Sequence, residues 1–171
     1  HKYIDCRLGS NTLSIRGTSG GDTAHENMAK FTRNGSVSLY YDNAPKFATS
    51  SGGINVTGEL ECDGININGA YEQVAEAVGS LDINLSTGNY FTKTIDGNST
   101  FTFSNPPASG TVGSFTLELT HTSGTVDWPN TVKFPGDTAP SLTAGKTHLF
   151  VFITDNGGSR YRGAFLADYV N

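Results

Sequence analysis

Acidic residues are the first place to look for chemistry in this chain. A glycosidase needs two carboxyl groups held about 5–9.5 Å apart across a sugar. Glu118, Asp127, Asp137, Asp155 and Asp168 are the candidates in the C-terminal half. Each has a plainer reading. Glu118 alternates with apolar residues and falls on the polar face of a strand, while Asp137 and Asp155 sit in turn sequences, where Asp supplies local backbone hydrogen bonds. The long repeat array of a β-helical depolymerase is missing. So is a G-x-S-x-G elbow, and His25, His121 and His148 are far apart, with no H-x-H or H-x3-H pair for a metal. Cys6 and Cys62 show no CxxC or Cys/His spacing and read as two small core residues; nothing in the spacing supports a disulfide. The expectation is a non-enzyme with no catalytic residue, no metal site and no cofactor. Aromatic rings also suit sugar binding, but Trp128, followed by Pro129 in a strand-like context, reads as core.

The elements that would carry these residues are strands. Period-two alternation recurs along the chain. Ile4, Cys6 and Leu8 are followed by Leu13 and Ile15, then by Val37, Leu39 and Tyr41. Ile54, Val56, Leu60 and Cys62 share one face, and Ile65 and Ile67 continue the pattern. Leu81, Ile83 and Leu85 alternate, as do Phe101 with Phe103, and Phe115, Leu117, Leu119 and His121. Asp42-Asn43-Ala44-Pro45, Asp96-Gly97-Asn98 and Asp155-Asn156-Gly157-Gly158 are turn signals, the second read as a tight turn between two strands. His148–Ile153 (HLFVFI) is a continuous apolar run, expected to be buried on both faces. Residues 70–79 fit helical spacing at Tyr71, Val74, Ala75 and Val78, and fit a strand as well.

The 171 residues include 21 Gly, only 16% are charged, and the formal net charge is −5. That balance excludes a nucleic-acid partner, which requires a basic stripe. No apolar run approaches the roughly 20 residues of a spanning helix, so no membrane insertion is expected. No signal peptide is seen, and the opening in mid-pattern is read as a fragment of a longer chain.

Two segments follow: residues 1–69 and residues 70–171. The first has short strands with one apolar face each and no helix to cover them. Left alone, a single-layer sheet keeps that face in water and its edges unpaired. Three copies wound around one axis solve this; packing on the second segment as a monomeric sandwich is the alternative. The second segment reads as a β-sandwich or jelly roll. In a homotrimer one inward-facing His appears three times on the axis. His121 or His148 fits that role, against a plainer one as a satisfied polar residue at an interface.

The stretch NGSVSLYYDNAPKFATSSGGINVTGELECDG, residues 34–64, resembles a recurring unit in the tail fibres of tailed bacteriophages, especially those of marine hosts. The region from Leu81 onward is similar to a C-terminal domain of the same fibres, in STGNYFTKTIDGNSTFTF, in Trp128-Pro129 and in ITDNGGSRYRGAFL. The resemblance implies an all-β protein, an intertwined trimeric β shaft followed by a β-sandwich or jelly-roll-like head. It implies a homotrimer located in the virion, assembled in the host cytoplasm and facing a host-surface glycan or outer-membrane protein. It aligns residues 70–79 with an irregular strand. It carries over no binding residue, because receptor contacts in such heads lie on variable loops. Arg160, Tyr161 and Arg162, just after the DNGG turn, are the expected receptor-facing patch, against an exposed hairpin with interface arginines. Host attachment is the expected function; a structural spacer and a glycan-degrading tail enzyme are the alternatives.

Overall fold

The computed structural model describes residues 11–17 and 25–170. Cys6 and the strand expected around Ile4 lie outside them. The fold is all-β: among the described residues the only helical element is one 3-10 turn, Pro135–Asp137. The chain divides into two compact units, His1–Asn66 and Ile67–Asn171.

Unit 1 is an antiparallel meander of β1 (Thr12–Gly17), β2 (Glu26–Thr32), β3 (Val37–Tyr41), β4 (Ala44–Ser50) and β5 (Gly53–Val56), with strand order matching chain order. The β3–β4 turn has Asp42 and Asn43 both at positive φ, 51° and 57°. Two such residues give the turn whose twist matches that of a hairpin, and Asp and Asn tolerate the conformation. Strand register lines up one residue from every strand: Ile15, Ala29, Leu39, Phe47 and Val56. A neighbouring row brings Leu13, Phe31 and Val37 together. The opposite face is polar, carrying Ser14, Lys30, Ser38 and Asn55, with the Lys30 ammonium 5.2 Å from the centre of the Tyr40 ring.

Apart from the buried Ala29, the apolar row is bare. Ile15, Leu39 and Val56 are 48%, 46% and 43% exposed. Strand structure stops at Val56, although alternation continues through Ile67, and every residue from 51 to 75 is exposed. The strands expected over 57–68 are therefore absent from the single chain. Alternation decides which face a residue takes but supplies no partner edge. Cys62 is an exposed free thiol, correcting its reading as a core residue.

Unit 2 begins with an extended run that includes β6 (Glu76–Ala77) rather than a helix, followed by β7 (Asp82–Asn84), β8 (Tyr90–Ile95), β9 (Ser99–Thr100) and β10 (Thr102–Ser104). Then come β11 (Gly113–His121), β12 (Val126–Asp127), β13 (Val132–Lys133), β14 (Lys146–Thr154) and β15 (Tyr161–Tyr169). The main sheet has the order β13-β15-β14-β11-β8-β6, and two short parallel ladders, β10-β7 and β12-β9, complete the unit. Register sets Phe91, Leu117, Phe150 and Phe165 in one row across four strands.

The core of unit 2 is aromatic. Phe115 stacks on Phe152 at 5.0 Å, and Phe103 meets Phe115, Phe152 and Tyr161 edge-on at 5.0–5.1 Å. Gly163 permits the closest approach, since a Cβ there would come within 2.7 Å of the Phe134 ring. Along β14, Phe150 and Phe152 are fully buried on one side, while on the other Thr147 is buried but Val151 and Ile153 are 40% and 42% exposed. The single chain covers the inner face of HLFVFI, and the expected burial of the other face would need a subunit interface. The outward half of the run has no second layer over it in the single chain.

Asp96-Gly97-Asn98 makes a turn but not a hairpin. β9 leaves β8 and pairs in parallel with β12. The turn is clasped by residues 122–125: the Thr125 N–H donates to Asn98 Oδ1 (3.0 Å) and Ser123 Oγ to the Asp96 carbonyl (2.6 Å). At Gly124 (φ 92°), a Cβ would collide with the Gly97 carbonyl and lie 2.6 Å from the Asn98 nitrogen. Neither backbone can yield, so Gly124→Ala is expected to cost at least about 3 kcal/mol. Urea unfolding followed by Trp128 fluorescence measures this, and a loss below 1 kcal/mol would show that the clasp is slack.

Candidate functional site

The expected receptor-facing triplet is split by strand alternation at the start of β15. Tyr161 points into the core and is 1% exposed. Arg160 and Arg162 are about half exposed, and both turn to Asp155, at 3.3 and 3.7 Å. Two guanidinium groups on one carboxylate, itself held at the hairpin, make a surface charge cluster of small energetic weight. Tyr161 is therefore placed to pack rather than to contact a ligand. Its hydroxyl is buried with no hydrogen-bond partner among the described residues, and burial pushes the phenol up from its ordinary value of 10.0. Because the folded state holds that proton more tightly, the associated stability is present below pH 10 and is lost as pH rises through the folded value. Removing an unpaired buried hydroxyl relieves a desolvation cost, so Tyr161→Phe is expected to stabilise unit 2 by about 1 kcal/mol and to reduce the alkaline loss. Thermal unfolding at pH 8 and pH 10.5 reads both effects.

The other candidates are mostly engaged. Glu118 accepts a 2.6 Å bond from the Tyr90 hydroxyl, which raises the Tyr90 pKa, with burial and the Glu118 charge adding to it. Asp137 pairs with Lys133 at 3.3 Å. Asp168 sits in a bulge of β15 at φ 64°, where its N–H donates to His148 Nδ1 (3.3 Å). His148 is fully buried, and its Nε2 faces the Thr143 carbonyl at 3.2 Å. The two contacts fix the tautomer: Nε2 carries the proton and Nδ1 accepts. His121 is 4% exposed and bonds the Gly124 carbonyl through Nε2 at 2.9 Å. Within the single chain both histidines bond a carbonyl through Nε2, while His121 Nδ1 is buried without a partner among the described residues. Among the described residues no three His, Cys, Asp or Glu side chains cluster as metal ligands.

What the sequence did not mark is a groove of about 640 Å³ between β12, β13 and the 3-10 turn. Trp128, Pro129 and Phe134 form the apolar floor, and Asp127, Asn130, Lys133 and Asp137 form an exposed rim. Trp128 is only partly buried. Phe101 stacks on its ring at 5.2 Å and Phe150 tilts against it at 4.6 Å, so its faces serve the core. Its indole N–H bonds no described residue and is not among the buried unpaired atoms, so it reaches solvent. The parallel pairing of Lys133 with Arg162 puts the groove beside the arginine cluster. A Trp-Pro pair closing a two-residue strand was the available signal, but nothing in the sequence places it next to Asp137.

Comparison with family models, with characterised proteins and with solved structures finds no match for this chain.

Proposed function

We propose that the chain is the distal part of a homotrimeric bacteriophage tail fibre, carried on the virion, that attaches it to a glycan or an outer-membrane protein of the host surface. In this reading unit 1 is the shaft, unit 2 is the receptor-binding head, and the protein binds without catalysing. The observation that carries the reading is the bare row Ile15–Leu39–Phe47–Val56, followed by a run from 51 to 75 in which every side chain is exposed. Fully burying a Val, Leu, Ile or Phe is worth about 1.5–3 kcal/mol, so covering these half-exposed residues contributes about 1 kcal/mol each. In this reading that energy is released when other copies supply the second layer and pair the open edges.

The experiment is light scattering on the intact chain, combined with binding to bacterial cells. A mass of about three times 18.1 kDa with cell binding is the expected result. The same trimer without cell binding would favour a spacer, and a stable monomer would sink the fibre reading.

A further inference from the structure

We infer that the groove at Trp128 is the glycan site of the head, and that it takes a neutral or amino-sugar glycan rather than an acidic one. The inference rests on the attachment reading above and adds the site and the ligand's charge to it.

The case is one of which groups are already spent. Three cations lie in and beside the groove. Lys133 is held by Asp137 at 3.3 Å, and Arg160 and Arg162 are held by Asp155 at 3.3 and 3.7 Å. A uronic or sialic acid would compete with Asp137 for Lys133, the one cation lining the groove, and with Asp155 for the two arginines beside it. Asp127 is the opposite case. Its backbone is fixed by β12, where its carbonyl accepts from the Phe101 N–H at 2.9 Å, but its side chain is exposed and bonds no described residue. The polar side chains at the groove without a partner among the described residues therefore include an anionic acceptor, the Asn130 amide and the indole N–H. Sugar hydroxyls match this set, since each can donate to Asp127 and accept from Asn130 or Trp128. A glucosamine ammonium would make a charge-assisted bond to Asp127. An acidic sugar would instead meet an unpaired like charge on a chain of formal net charge −5. The partly buried Pro129 adds apolar surface for the C–H face of a pyranose.

The chain has one tryptophan, so its fluorescence reports on this groove directly. The intact chain would be titrated with purified bacterial surface polysaccharides sorted as neutral, amino-sugar and uronic-acid types, with calorimetry alongside and cell binding measured in parallel. The expected result is binding to a neutral or amino-sugar polysaccharide with a change in Trp128 emission, weakened at least tenfold in Asp127→Asn and in Asn130→Ala. Both positions are exposed, and an unchanged unfolding midpoint certifies that each variant is folded. Preference for the uronic-acid class overturns the charge assignment. Glycan binding that leaves Trp128 emission and the Asp127→Asn affinity unchanged overturns the site while leaving attachment intact. Cell binding with no polysaccharide bound overturns the inference and points to a protein receptor. Absence of all binding removes the attachment reading itself.

Discussion

A chain carrying Leu39→Glu together with Phe47→Glu is expected to scatter light as an 18.1 kDa monomer, where the proposed fibre assembly predicts a trimer for the unaltered chain. The two residues are register partners on β3 and β4, at the middle of the apolar row, and are 46% and 36% exposed. In the isolated chain both glutamates can stay hydrated, so the meander tolerates them. Between copies the carboxylates would be desolvated without partners, at a cost of several kcal/mol each, before the lost apolar contact is counted. The substitution thus separates assembly from folding. Trp128 lies in unit 2, and its emission should be unchanged in the monomer, showing that the head remains folded. A variant that keeps the full trimer mass would mean that the row faces solvent in the assembly as well.

Phe152→Ala should act on the opposite property, the stability of unit 2. Phe152 is fully buried on β14 and makes ring contacts with Phe103, Phe115, Trp128, Phe134 and Phe150, at 5.0–6.1 Å. Truncation removes the transfer energy of the ring and leaves a cavity that rings held by so many neighbours cannot close, for a loss of about 3–5 kcal/mol. Domains of this size are stable by about 5–15 kcal/mol, so the variant should be marginal at physiological temperature. Its urea midpoint, followed by near-ultraviolet circular dichroism, tests this. Val151→Ala, one residue away on the exposed face, should cost the isolated chain under about 1 kcal/mol. Equal losses at the two positions would mean that β14 is buried on both sides after all.

The alternation of large apolar residues was enough to read the all-β class and the inward face of β11, because period two is dictated by the pleat of a strand. Asp42-Asn43 and the DNGG segment were legible as turns because the required backbone conformation selects those residues. Partner choice was not legible. Asp96-Gly97-Asn98 has hairpin chemistry, yet the chain crosses to another ladder, since β8 is paired on both edges, with β11 and with β6. Strands of two residues, such as β9, β12 and β13, carry too few positions for any periodicity. The groove was hidden for the same reason: its rim joins residues of β12, β13 and the 3-10 turn that only the fold brings together. Of the residues singled out for recognition, Tyr161 was lost to the core by the alternation that defines its strand. The two arginines flanking it were placed beside the groove by the pairing of β13 with β15.

The connectivity of the two units also sets their tempo. In unit 1 each strand pairs with its sequence neighbour, so every loop that must close is short. In unit 2, β8 pairs in parallel with β11 and β9 with β12, and each crossover must be laid down before its ladder can form. Folding slows as contacting residues lie farther apart in sequence. Refolding from denaturant should therefore show two phases, a fast one for the meander and a slower one for the head. Through that interval the apolar face of the meander is already formed and sticky. Dilution during refolding would raise the yield of discrete particles over aggregate, and the head would be the last part of each chain to mature.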